Sequence, residues 1–188
     1  MGVEPAVREV YDRGMAKDLR ARSRPLDPGP APRERPALDA TDRALLAALT
    51  RDARRSNAAL AAEVGIAEST CSVRVRSLVE RGVIQGFTTI LDPAGLGHPV
   101  QAVIAVRLAG HDMAQVQAFG DEVSALPGVL AVWNVSGADD FVVHVACPTP
   151  DALRDLVLSH LTSRPGVVHA QTSLIFRAHH GVGVPLGE

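Results

Sequence analysis

The sequence has few aromatic side chains, a single lysine and two cysteines. With aromatics at 3% and hydrophobic residues at 46%, any core must be built from Val, Leu, Ile and Ala. Lys17 stands alone among 19 Lys and Arg residues, which with the Ala richness reads as a coding bias. Cys71 and Cys147 are far apart and neither belongs to a CxxC pair, which excludes a disulfide framework or a zinc site of that type. No stretch approaches the ~18 apolar residues of a membrane span, and no apolar segment follows the N-terminal charges. The chain is therefore expected to be cytoplasmic, with no membrane partner. A Gly-rich phosphate loop, a nucleophile elbow and a recognisable metal motif are all missing, so neither enzyme activity nor a cofactor is expected.

Net charge is −2, unevenly spread. Residues 1–38 carry +2, residues 39–92 are neutral and residues 93–188 carry −4. The acidic second half is a poor polyanion binder, so a nucleic acid, if one binds, binds the first half. The 188 residues suffice for two small domains.

Residues 1–37 read as a flexible Pro/Arg-rich arm. Five prolines between Pro25 and Pro36 forbid helix or central strand, although a short helix fits near Pro5–Arg20. Order begins at Leu38. Asp39 is placed to cap a helix striped by Leu45, Leu46 and Leu49. Ser56 caps a second, short helix, and Gly65 ends it. A third runs from Glu68 to about Arg81, with Cys71, Val75 and Leu78 on one stripe and Gly82 just past its end. Residues 83–91 alternate enough for a short strand or wing, closed by Asp92-Pro93. This order predicts a winged helix-turn-helix over 38–93.

From His98 the hydrophobic period becomes two. Val100, Ala102, Ile104, Val106 and Leu108 share one strand face. Helices are expected over 113–126 and 150–163, strands over 129–136, 141–147 and 167–178. The Pro-Gly-Val junctions at 127–129 and 165–167 mark an internal repeat. The result is an α+β chain with a ferredoxin-like βαββαβ domain over 98–180 and a tail over 181–188. The sheet face bearing Val103 and Ala105 is too apolar to leave wet, so a second subunit is expected over it.

Opposite the core stripe of the third helix lie Ser69, Val73 and Arg76, flanked by Thr70, Ser72, Arg74 and Ser77. Arg pairs with guanine or phosphate, hydroxyls reach either, and Val meets a thymine methyl. Arg54 and Arg55 are placed to clamp phosphates before the second helix.

These stretches together resemble the Lrp/AsnC (feast/famine) regulators. The resemblance runs through LDATDRALLAAL, the run from Arg54 to Ala61, EVGIAESTCSVRVRSLVERGVIQGFTTILDP and Leu96-Gly97, and then the βαββαβ pattern, about 140 residues in all. It implies a sequence-specific regulator that binds double-stranded DNA as a homodimer or larger assembly. It also implies an amino acid or related metabolite held between subunits at Ser136, Gly137, Asp139, Asp140 and Thr172. Backbone N–H groups at a Gly turn can hold a carboxylate and Asp140 an ammonium; the same residues also suit a plain hairpin cap. The chain departs from the family at three places: Ala67 where an N-cap serine is usual, Arg55 where an apolar residue is usual, and Ala138-Asp139 where the turn is usually bulkier. An alternative is a siroheme-type tetrapyrrole decarboxylase on the same fold, with His98, His144 and His169 as its candidates. The intact, Arg-bearing helix-turn-helix argues against it.

Overall fold

The computed structural model describes residues 37–110, 112–179, 181 and 183–185. The expected arm, with its helix near Pro5–Arg20, lies outside them apart from Ala37, as do His111, His180 and half of the tail. The described chain forms two compact units that divide between Leu91 and Asp92.

The first unit holds α1 (Ala40–Arg51), α2 (Asn57–Val64) and α3 (Glu68–Glu80). Two caps fix where the first helices start. The Asp39 carboxylate accepts the Asp42 N–H at 2.7 Å, and the Ser56 hydroxyl accepts the Ala59 N–H at 3.2 Å. The turn from α2 into α3 requires a left-handed residue, and Gly65 supplies it at φ 76°. Leu45, Ala48 and Leu49 of α1, Leu60 and Ala61 of α2 and Cys71 of α3 form the core, with Val64, Ile66, Val75 and Ile84 packed on it. Leu78 is fully buried as well. Each such leucine stabilises the fold by about 1.5–3 kcal/mol relative to exposure.

Among the described residues, the expected wing carries no strand. The N–H groups of Val83 and Ile84 both return to the Leu78 carbonyl, closing the end of α3. Residues 85–92 then run on without a ladder partner among the described residues, leaving Phe87, Ile90 and Leu91 exposed. Alternating side chains alone cannot make a strand, because its N–H and C=O groups need a neighbour.

The second unit is the expected split βαβ repeat. Its elements are β1 (Val100–Leu108), α4 (Met113–Ser124), β2 (Val129–Asn134), β3 (Phe141–Cys147), α5 (Pro150–Leu156) and β4 (Val167–Leu174). All pairings are antiparallel, in the order β2-β3-β1-β4. Ala102, Ile104, Val106 and Leu108 face the helices with Val143 and Val145, and Phe119, Val123, Leu153, Leu156 and Leu161 close over them. Two boundaries differ from expectation. The second helix leaves α geometry after Leu156 and finishes as a π-helical turn, Val157–Thr162. Strand β4 stops at Leu174 rather than 178.

Among the described residues, no helix of this unit lies on the other sheet face. Val103, Ala105, Val142 and His144 lie there half-buried, joined by Trp133 of β2, which pairs with Val142. Trp133 is 42% exposed.

Candidate nucleic-acid interface and effector turn

Helix α3 presents two unlike faces. Cys71 and Leu78 are buried on one, and on the other Ser69, Thr70, Val73 and Arg76 are exposed, Val73 by 66%. Val73 lies outside the core of this unit. Ser72 and Ser77 flank this surface half-buried.

The arginines separate into two groups. Arg76 and the Arg54 side chain form no ion pair with any described residue. Among the described residues, Arg54 donates its backbone N–H to Asp52. Arg55, by contrast, pairs with Glu63, which also receives Arg51. Arg74 Nη1 donates to Asp39 Oδ2 at 2.7 Å and to Asp42 Oδ1 at 2.9 Å. Arg81 Nη1 reaches Asp42 Oδ2 at 3.3 Å. The Asp42 N–H and the Arg74 guanidinium hold the Asp39 carboxyl below its usual range. The two aspartates raise the Arg74 pKa in return, Asp39 first. The sequence reading placed Arg74 and Arg55 among the DNA contacts and missed their carboxylate partners. For Arg74 the signal was available: Asp39 and Asp42 stand at i and i+3, flanking the first turn of a helix packed on α3.

At the β2–β3 turn, Gly137 adopts φ 134°, a conformation closed to most side chains. Arg107, from β1, donates through Nε to the Ala138 carbonyl at 2.6 Å and pairs with Asp139 at 3.4 Å. Sequence reasoning overlooked Arg107, although it is the one charged side chain in an otherwise apolar and amide strand. Asp140 Oδ2 accepts the Leu108 N–H at 2.7 Å, while the Asp140 carbonyl receives the Val135 N–H and the Asn134 side chain. Ser136 is exposed beside Gly137. Thr172 is not brought to this turn. It lies on β4 opposite Ile104, four residues along β1 from the Leu108 held by Asp140, across the sheet from the turn.

The three candidate histidines of the decarboxylase alternative do not converge. His144 faces Gln101 at 3.2 Å on β3, His169 sits opposite Arg107 on β4, and His98 precedes β1 with its ring on the Leu96 carbonyl. No cluster of three metal-binding side chains occurs among the described residues. Burial raises the pKa of both cysteine thiols, which keeps them protonated.

Residues 38–85 match the winged helix-turn-helix DNA-binding family, and residues 101–180 match the Lrp/AsnC ligand binding domain. The regulator AldR of Mycobacterium tuberculosis is 45% identical over 148 residues, 78% of this chain and 83% of that protein. The chain belongs to the Lrp/AsnC family of transcriptional regulators. A second relative, the transcriptional regulator AzlB of Bacillus subtilis, is 30% identical across 80% of this chain and 97% of its own. The crystal structure of MtbAldR superposes with a TM-score of 0.70 at 39% identity, covering 80% of this chain and 99% of that one. A Neisseria meningitidis regulator crystallised with L-Met gives 0.73 at 28% identity, covering 80% and 97%. These family members are regulators of transcription, and the decarboxylase alternative finds no support among them.

Proposed function

We propose that this Lrp/AsnC regulator reads DNA through Ser69, Thr70, Val73 and Arg76, with Ser72 and Ser77 at the margin and Arg54 on a phosphate. The observation that carries this is the exposed stripe of α3, set opposite a stripe buried in the unit's own core. Arg55 can reach a phosphate by leaving Glu63, since a half-exposed pair of this kind contributes only about 0–1 kcal/mol. Two copies present two recognition helices, so operators are roughly palindromic. The apolar sheet face of Val103, Ala105, Val142 and Trp133 supports a homodimer or larger homo-oligomer formed over it. No helix among the described residues is long and apolar enough to cross a membrane, which fits a cytoplasmic regulator.

The effector is an amino acid or related metabolite bound between subunits at the β2–β3 turn. Support comes from the L-Met complex of the Neisseria relative and from the turn itself. Ser136 and the Gly137 backbone suit a carboxylate, and Asp140 suits an ammonium. The Leu108 N–H on Oδ2 fixes the aim of the Asp140 carboxylate. Asp139 takes part as the partner that holds Arg107. Thr172 lies apart from the turn of its own chain, so its contribution comes from a second copy.

Selection of duplexes from a random pool by the full chain tests the DNA reading; enrichment of an inverted repeat is the expected result, and no enrichment would overturn it. Calorimetry of amino acids against wild type and Asp140→Asn tests the effector site. A charge-assisted bond is worth roughly 1.5–3 kcal/mol, so the variant weakens binding by about 10- to 150-fold. Equal affinities would remove Asp140 from the site.

A further inference from the structure

One carboxylate of α1 holds the recognition helix at two points. Asp42 is 5% exposed and receives Arg74 on one oxygen and Arg81 on the other. These arginines are seven residues apart, two turns along α3 and its end. Asp39 closes the arrangement: it caps α1 through the Asp42 N–H and takes the same Nη1 of Arg74 that Asp42 takes. Burying a carboxylate beside two guanidinium groups is a poor route to stability, because apolar residues of the same volume serve as well or better. What it confers is direction. Apolar packing lets a helix roll, whereas a shared Nη1 with two acceptors at 2.7 and 2.9 Å tolerates little rotation.

We infer that Asp39, Asp42 and Arg74 are positioning residues that fix the rotation of α3, so that Ser69, Val73 and Arg76 meet base edges, and that Arg74 serves DNA recognition through this clamp and not by touching DNA. The inference rests on the DNA-binding reading. It makes a prediction of opposite sign to simple electrostatics. Removing an acid next to a DNA-binding helix ordinarily strengthens binding to every duplex. Removing Asp42 should instead weaken binding to the preferred duplex alone.

The test uses the full chain and two probes: a duplex enriched from a random pool by the wild type, and a random-sequence duplex of the same length. Affinities are measured across a salt series for Asp42→Asn, Asp39→Asn and Arg74→Gln. Affinity for the enriched duplex is expected to fall about 5- to 150-fold, the range for one mismatched base contact. Affinity for random DNA and the salt slope should not move, and Asp42→Asn with Arg74→Gln should be no worse than either alone. Asp39→Asn keeps a good N-cap, so it decides the matter if Asp42→Asn fails to fold. An Arg74→Gln variant that weakens both duplexes equally and reduces the salt slope by about 1 would place Arg74 on a phosphate and overturn the inference. So would aspartate variants that bind both duplexes more tightly. A wild type that enriches no sequence would overturn the DNA-binding reading on which it rests.

Discussion

Arg76 and Arg74 are two residues apart on one helix, yet their surroundings differ. Arg76 meets no carboxylate among the described residues, and it is exposed on the face of α3 opposite the core. Arg76→Ala is expected to cost about 1–3 kcal/mol of specific binding if it reads a base. An equal loss on random DNA would mark a phosphate contact, and no loss would take it out of the interface. Asp140 is legible in the sequence as a charge at a turn, but its bond to Leu108 is not. The Leu108 side of that bond is buried, with the residue 4% exposed. Asp140→Ala therefore leaves a buried N–H without an acceptor and should destabilise the C-terminal unit by about 1–3 kcal/mol. Asp140→Asn, which keeps an acceptor, should cost less. Thermal unfolding of the two variants distinguishes them. Partners such as Asp39 for Arg74 and Arg107 for Asp139 lie 35 and 32 residues apart in sequence. A helical wheel orders side chains on one element and carries no information about what a second element brings, so these pairs escaped it.

Elements were more legible than pairs. Helices α1 and α2 begin where a capping residue was read, because a cap is a local hydrogen bond between neighbours in sequence. Ala67 is the exception among caps: α3 starts after it with extended backbone and no side-chain bond. Ala67→Ser should add about 0.5–2 kcal/mol to the stability of this unit. Unchanged unfolding would mean that the first turn of α3 is satisfied in another way. The strands of the second unit were legible for a different reason. One face is sealed by helices, so alternation records burial directly. The strand expected in the wing was less legible, since alternation over residues 83–91 stated a preference that no neighbouring strand among the described residues meets. The π-helical finish of α5 was also illegible, because Val157–Thr162 has the composition of an ordinary helix end.

At the scale of the molecule, the open sheet face links assembly to acidity. Burial lowers the His144 pKa below 6.5, so the fold favours the neutral ring. The unfolded chain then binds the proton more readily. Stability is fully present above about pH 6.5 and is lost as pH falls from there through the lowered value. A second copy over this face would deepen the burial and steepen that dependence. Unfolding of wild type and His144→Gln at pH 7.5 and 5.5 isolates the effect; a wild type no more acid-sensitive than the variant would remove it. The same face carries the chain's one tryptophan, Trp133. Its indole is part wet in a lone protomer and would be dry beneath a partner. The protein thus contains its own optical gauge of association. Dilution should shift the emission to longer wavelength as protomers separate, with no dye and no engineered label, and an emission maximum unchanged across concentration would place the contact between copies elsewhere.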